Sequence, residues 1–274
     1  EEPAELFYRL NQPTALTSAE QRNAYIGATR DQVKELSNKF VALGADKETI
    51  GFSNSRLAYD EIISKFCFAV ETHTLKKKIT SNDISFQYRQ AVPFSDECIE
   101  IVDETLRKFM ICVSEWKDFK FSFNKATIFS WFVYIRRNLD SETTDLQNTI
   151  SYMEFCRAYI KGKYKKVDDK YIRTFLSLQK QVPFFEVMLN TFNQRTSMGS
   201  TDALSIIYRD IIITLFRDML WNEESELLQY TRGTFAEVEN FNYTLEKIVE
   251  KDISCKLFSP LSSTLNKFLL YFLL

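Results

Sequence analysis

The sequence predicts an all-α protein, an irregular multi-helix bundle of about ten helices. Three observations lead there. The chain has only six Gly and five Pro in 274 residues, where these two turn formers usually supply about 12%, so tight turns are few. Apolar residues recur every three or four positions along most of its length, and no stretch sustains the alternation of a strand. Aromatic residues are abundant, with 24 Phe and 13 Tyr, which suits thick helix–helix contacts rather than close approach through small residues.

Each element has a local reason. TSAEQRNAYIGATRDQVKELSNKFVALG begins on a capping box, Thr17 with Glu20. Gly44 is its stop signal, and Gly27 weakens the middle or divides it in two. In RLAYDEIISKFCFAVE, residues Leu57, Ile62, Phe66, Ala69 and Val70 share one helical face. A short helix around NDISFQYRQ ends near Pro93, and 96–116 carries the clearest stripe, Ile99, Val102, Leu106, Phe109, Met110 and Val113. Asn124 caps KATIFSWFVYIRRNL, which is apolar on most sides and therefore central. Leu146, Ile150, Met153, Cys156 and Ile160 mark the next helix; 168–181 and 184–194 follow, separated at Pro183. Ser200 opens another apolar helix, 234–251 is a weaker helical segment, and Ser259–Pro260 starts a last one.

No fixed-period repeat or linker occurs, and the one seam is at 44–55, dividing the chain into 1–44 and 45–274. The opening FYRLN has no initiator Met, and the end, FLLYFLL, is bare and apolar. The expectation from these ends is a piece of a larger polypeptide, with the last helix either buried or continued.

Composition narrows the function. Apolar residues make up 45% and charged residues 26%, as in a protein with a real core. A net charge of −2 gives no global attraction to nucleic acid or anionic membrane, so any such contact has to be local. Five cysteines without metal-ligand spacing read as buried free thiols in a reducing compartment, and no apolar run reaches the roughly 18 residues of a membrane span. The expectation is a soluble cytoplasmic protein with no membrane partner.

A single histidine, His73, excludes a metal-dependent HNH nuclease centre in this chain, and it excludes the helical RNases that pair an Arg with a nearby His. Zinc-type Cys/His pairs and a phosphate-binding Gly-rich loop are absent as well. His73 itself reads as a helix-surface or C-terminal-turn residue near Lys76–Lys78. Three basic groups remain. LKKK at 75–78 and Arg136–Arg137 read as favourable charge at helix C-termini. KGKYKKVDDKYIR carries Lys161, Lys163, Lys165, Lys166, Lys170 and Arg173 with Tyr164 and Tyr171 between them. Such interleaving suits a nucleic-acid backbone, and it equally suits a solvated loop between helices.

Four segments resemble the GmrSD-type restriction family. ELFYRLN followed by ALTSAEQRNA is similar to its F-x-R-x-N … L-x-x-x-E-x-R-N-A segment. RLAYDEIISKFCFAVE resembles its R-[ML]-x-x-[DE]-E helix, FNKATIFSWFVYIRR its N-K-A helix, and QRTSMGSTDALSIIYRDII a late T-S … R-[YI] element. The resemblance runs from Glu5 to about Leu220, and its first segment is the most specific. In that family a ParB/sulfiredoxin-like α+β domain carries a D-G-Q-Q-R loop that works with the F-x-x-x-N motif in nucleotide hydrolysis. An HNH-type domain that cuts foreign or modified DNA often follows.

The resemblance implies that 1–44 is the tail of such a domain and 45–274 a helical domain. It places catalytic roles on Arg9 and Asn11, completed by residues upstream, and nucleotide binding on Phe7, Arg9, Asn11 and Arg22. Phe7 would pack under the site, while Arg9 and Asn11 offer a charged and a neutral partner to phosphate or base. Neither D-G-Q-Q-R nor an HNH cluster is present, so this chain alone is expected to be inactive and to hold no cofactor. The full protein would use a nucleoside triphosphate with a divalent metal, and its partners would be the ParB-like part, an HNH domain or subunit, and DNA. Oligomerisation stays open. The alternative reading of the same residues is a non-enzymatic helical interaction or dimerisation module.

Overall fold

The computed structural model describes residues 16–75, 78–90, 92–114, 120–163, 169–197 and 202–251. Thirteen α-helices and no strand occur among them: α1 Ser18–Asn23, α2 Ala28–Ala42, α3 Lys47–Ile50, α4 Ala58–Glu71, α5 Ser81–Arg89, α6 Asp96–Ser114, α7 Lys125–Arg137, α8 Thr143–Tyr159, α9 Asp169–Gln181, α10 Phe185–Ser197, α11 Ala203–Leu220, α12 Glu226–Val238 and α13 Phe241–Glu250. The all-α architecture is as expected.

The caps explain the boundaries. The Thr17 hydroxyl accepts from the Glu20 N–H while the Glu20 carboxylate accepts from the Thr17 N–H, a complete capping box. The chain breaks at Gly27, which separates α1 from α2. Asn124 caps α7 through its side-chain oxygen. His73 lies in the turn after α4 at φ 50°, its N–H bonded to the Val70 carbonyl. Two boundaries differ from the sequence reading. The weak segment 234–251 takes in only the end of α12, whose start at Glu226 had no sequence expectation, and all of α13; the two are broken where Glu239 turns left-handed and Asn240 caps the next helix. The helix expected from Ser200 starts at Ala203 behind Asp202. The helix expected at Ser259–Pro260 lies outside the described residues.

Helix α7 is the axis of the bundle, with every residue from Thr127 to Arg136 buried. It packs between α4, α6 and α11. Around it sits an aromatic centre in which Phe132 meets Phe66 and Phe109 at 5.3 Å and Phe40 at 5.9 Å between ring centroids. Such edge and tilted contacts add to the area each ring removes from water. Phe40 belongs to α2, so the core runs unbroken across the seam at 44–55. A second aromatic group joins α8 to α9, with Tyr171 against Tyr152 at 4.9 Å and Phe155 at 5.1 Å. Cys67, Cys98, Cys112 and Cys156 are free and buried within this core, and burial pushes the Cys67 and Cys156 thiols well up. No described helix is long and apolar enough to cross a membrane.

Candidate functional site

Two places gather charged side chains with room beside them. The first is the junction of α1 with α4. Two reciprocal ion pairs brace it: Arg56 with Glu20 at 2.8 Å on the outside, and Arg22 with Glu61 inside, where Arg22 is 1% exposed. Lys65 adds a second cation to Glu61 at 2.7 Å. Burial works against the Glu61 charge, yet Lys65 and Arg22 together hold its pKa below the ordinary carboxylate value. The hydrogen bond from Arg56, seconded by the Thr17 N–H, brings Glu20 down to about 2.

The backbone at this junction is strained. Arg56 and Leu57 both lie at positive φ, 54° and 58°, which costs a non-Gly residue roughly 1–2 kcal/mol. Local bonds hold it: the Asn54 side-chain oxygen accepts from the Tyr59 N–H at 2.8 Å, and the Thr17 hydroxyl donates to the Arg56 carbonyl at 3.4 Å.

Behind the pair, the Arg22 guanidinium lies 5.8 Å from the Tyr88 ring, and its Nε and Nη1 have no partner among the described residues. Tyr88 bonds the Ser64 hydroxyl at 3.1 Å, and burial pushes its phenol up to about 12. On the other side of Glu61 a cavity of about 140 Å³ opens. Ile62, Ile79, Phe129 and Ile206 form its apolar wall, and Lys65 and Lys125 stand on its rim. Lys125 is the first residue of α7, and burial together with the neighbouring Lys65 lowers its pKa against the pull of Glu61.

The four segments that carry the family resemblance therefore meet. The first and second are joined by Glu20–Arg56 and Arg22–Glu61. The third and fourth are joined by Arg209 Nε donating to the Ser130 hydroxyl at 2.8 Å, by the buried pair Arg137–Asp210, and by Asn124 Nδ2 to the Thr196 carbonyl at 3.4 Å. The second, third and fourth line the cavity through Glu61, Lys125 and Ile206.

The second place is a small polar cleft of about 50 Å³ at the C-terminal end of α8, formed by Glu154, Arg157, Lys161 and Lys163 with Asn193 of α10 and residues 121–122. Glu154 accepts from the Trp131 indole N–H at 2.9 Å and from Arg157. The Arg157 guanidinium also lies over the Phe192 ring at 4.3 Å.

The predicted site residues fall unevenly. Phe7, Arg9, Asn11, Lys165 and Lys166 lie outside the described residues. Arg22 is at the junction, committed through Nη2 to Glu61. Lys161 and Lys163 line the cleft, while Lys170 and Arg173 are exposed at the start of α9. Tyr171, read as interleaved with the basic residues, is fully buried and turned into the core. Arg137 stands in the last turn of α7, as read, and its largely buried side chain also pairs with Asp210. Arg157 and Asn193 escaped sequence reading, although Glu154, Arg157 and Lys161 stand at the spacing of one helical face. Comparison of the chain with protein-family models, with curated proteins and with solved structures returns no match.

Proposed function

We propose that this chain is the helical portion of a GmrSD-like, nucleotide-dependent DNA restriction protein, supporting a nucleotide site that begins upstream and meeting DNA through its basic surface. One observation carries this reading. The paired braces Glu20–Arg56 and Arg22–Glu61 fix α1, which follows Phe7–Asn11 in sequence after residues 12–17, onto the helical body beside the cavity rimmed by Lys65 and Lys125. The cavity beside that fixed helix offers cations and room.

The residues present fit the anionic part of a nucleotide. Lys65 and Lys125 supply charge at the cavity, while the two Arg22 nitrogens without a partner among the described residues lie on the far side of Glu61, toward Tyr88. They do not fit its metal. Glu61 is already held by two cations, and no group of three or more potential ligands occurs among the described residues, so the metal's ligands would come from other parts of the full protein. This chain by itself is then a support and a positioning element. In the full-length protein Asn11→Ala is expected to abolish nucleotide-stimulated turnover and leave thermal unfolding unchanged. Turnover equal to wild type refutes the assignment.

A further inference from the structure

We propose that the cleft at the C-terminal end of α8 is a receptor for a single phosphate group, bound by Arg157, Lys161, Lys163 and the Asn193 amide. This deepens the DNA-facing part of the proposed function and owes nothing to the nucleotide site.

The argument starts from Asn193. Arg157 Nε is purely a donor, and it bonds Asn193 Oδ1 at 3.0 Å. That bond fixes which way the amide faces. Asn193 lines the cleft, and its Nδ2 is buried with no acceptor among the described residues; the residue is 7% exposed. A buried donor left without a partner costs free energy, so the cleft wants acceptor oxygens.

Charge gives the same answer. Three cations surround the cleft, and the single carboxylate, Glu154, is already engaged by Arg157 and Trp131. Lys161 and Lys163 make no ion pair among the described residues. Burial pushes the Lys161 pKa down, and the neighbouring Arg157 and Lys163 add to it against the opposing pull of Glu154, as expected where three cations crowd around one carboxylate. A water would satisfy the amide and leave that crowding in place, whereas an anion relieves both.

The end of α8 is built to allow it. A helix C-terminus ordinarily repels anions through its free carbonyls. Here they are covered: Gly162 at φ 69° closes the helix, with the Lys163 N–H on the Ala158 carbonyl at 3.1 Å and the Gly162 N–H on the Tyr159 carbonyl at 2.8 Å. The same turn sets Lys161 and Lys163 on either side of Gly162, both lining the cleft. Three cations against one engaged carboxylate leave the cleft with net positive charge, which suits a doubly charged tetrahedral oxyanion better than a single carboxylate. At about 50 Å³ the cleft has room for a few water-sized groups, enough for one phosphate and too little for a nucleoside.

Such a phosphate comes either from a nucleic-acid strand or from free phosphate, and the test separates them. The chain is titrated with a short labelled single-stranded oligonucleotide by anisotropy at several salt concentrations, and with inorganic phosphate by calorimetry. Lys161→Gln with Lys163→Gln is expected to weaken binding about tenfold or more and to reduce the slope of log K against log salt by about 1–2. Asn193→Asp keeps the acceptor for Arg157, removes the free donor, and is expected to give a comparable loss. Oligonucleotide binding with phosphate as a weak competitor assigns the cleft to a strand; phosphate binding alone assigns it to free phosphate. Binding of neither probe overturns the proposal, as does wild-type affinity in the lysine double variant, whose exposed positions leave folding intact.

Discussion

Replacing Glu61 by Gln tests the junction at its centre. In the wild type the Arg22 side chain is 1% exposed and Glu61 13% exposed. The change leaves a buried guanidinium facing a neutral amide, with Nε and Nη1 already lacking partners. Removing one member of a buried pair costs about 3–5 kcal/mol, and the retained Gln oxygen brings the expectation to about 2–4 kcal/mol. Lys65, 21% exposed, can turn to solvent and adds less than about 1 kcal/mol. For a chain of this size that loss corresponds to a fall in Tm of about 5–12 °C.

Arg22→Met should cost less, about 1–2 kcal/mol, because Glu61 keeps Lys65 and the methionine replaces the buried stem. The double variant should resemble Arg22→Met alone, since no unpaired cation remains, giving a coupling equal to the cost of Glu61→Gln, about 2–4 kcal/mol. Urea unfolding followed by tryptophan fluorescence measures all four corners of the cycle. Strict additivity, or Glu61→Gln within about 0.5 kcal/mol of wild type, refutes the view that this pair fastens α1 to the body.

Two further perturbations probe the frame. At Gly51, φ is 97° and an added Cβ would lie 3.0 Å from Ser122 Cα and 3.3 Å from the Phe123 nitrogen, both backbone, while at Gly162 the space is open. Gly51→Ala is therefore expected to cost about 2–3 kcal/mol and Gly162→Ala about 1 kcal/mol, and equal losses in chemical denaturation would refute the backbone-clash argument. Burial pushes the Asp210 carboxyl up to about 6, against the pull of Arg137 and Arg209. Its folded pKa is above the unfolded one, so the native state binds the extra proton and stability falls as pH rises from about 4 to 6. Glu61 and Glu20, both lowered, act in the opposite sense, and the stability they add is lost as pH falls below about 4.3. Asp210→Asn should remove the loss between pH 4 and 6 from denaturation curves, and an unchanged pH slope would count against a raised Asp210.

Much of the frame is legible because it is written locally. The Thr17–Glu20 box and the Asn124 cap involve residues three apart, and the all-round apolar character of α7 announces a central helix. What depends on distant partners is not legible in this way. Arg137 meets Asp210 across 73 positions, and nothing near Arg137 distinguishes a buried ion pair from ordinary charge at a helix end. The break between α12 and α13 is equally hidden, because Glu239 takes a left-handed conformation that usually marks Gly or Asn. At the cleft, Lys161 and Lys163 stand out as composition, but Asn193 is 36 positions from Arg157 and hides inside an amphipathic helix.

These pairings sort the charged residues of the resembling segments by what they can still do. Glu20, Arg56 and Glu61 have their charges engaged in joining one segment to another, and so do Arg137 and Asp210. Arg22 is divided: Nη2 holds Glu61, and two nitrogens have no partner among the described residues. Lys125 is different, because it stands at the cavity rim with no ion pair among the described residues. Lost activity on replacing a bracing residue is thus expected from unfolding alone, and is not by itself a sign of ligand contact. Replacement of Arg22 speaks about nucleotide only if the protein's melt is unchanged, a condition the buried pair makes hard to meet. Replacement of Lys125, exposed and unpaired, meets it readily, so the rim of the cavity rather than the most recognisable motif residue is where contact with an anionic ligand can be separated from folding.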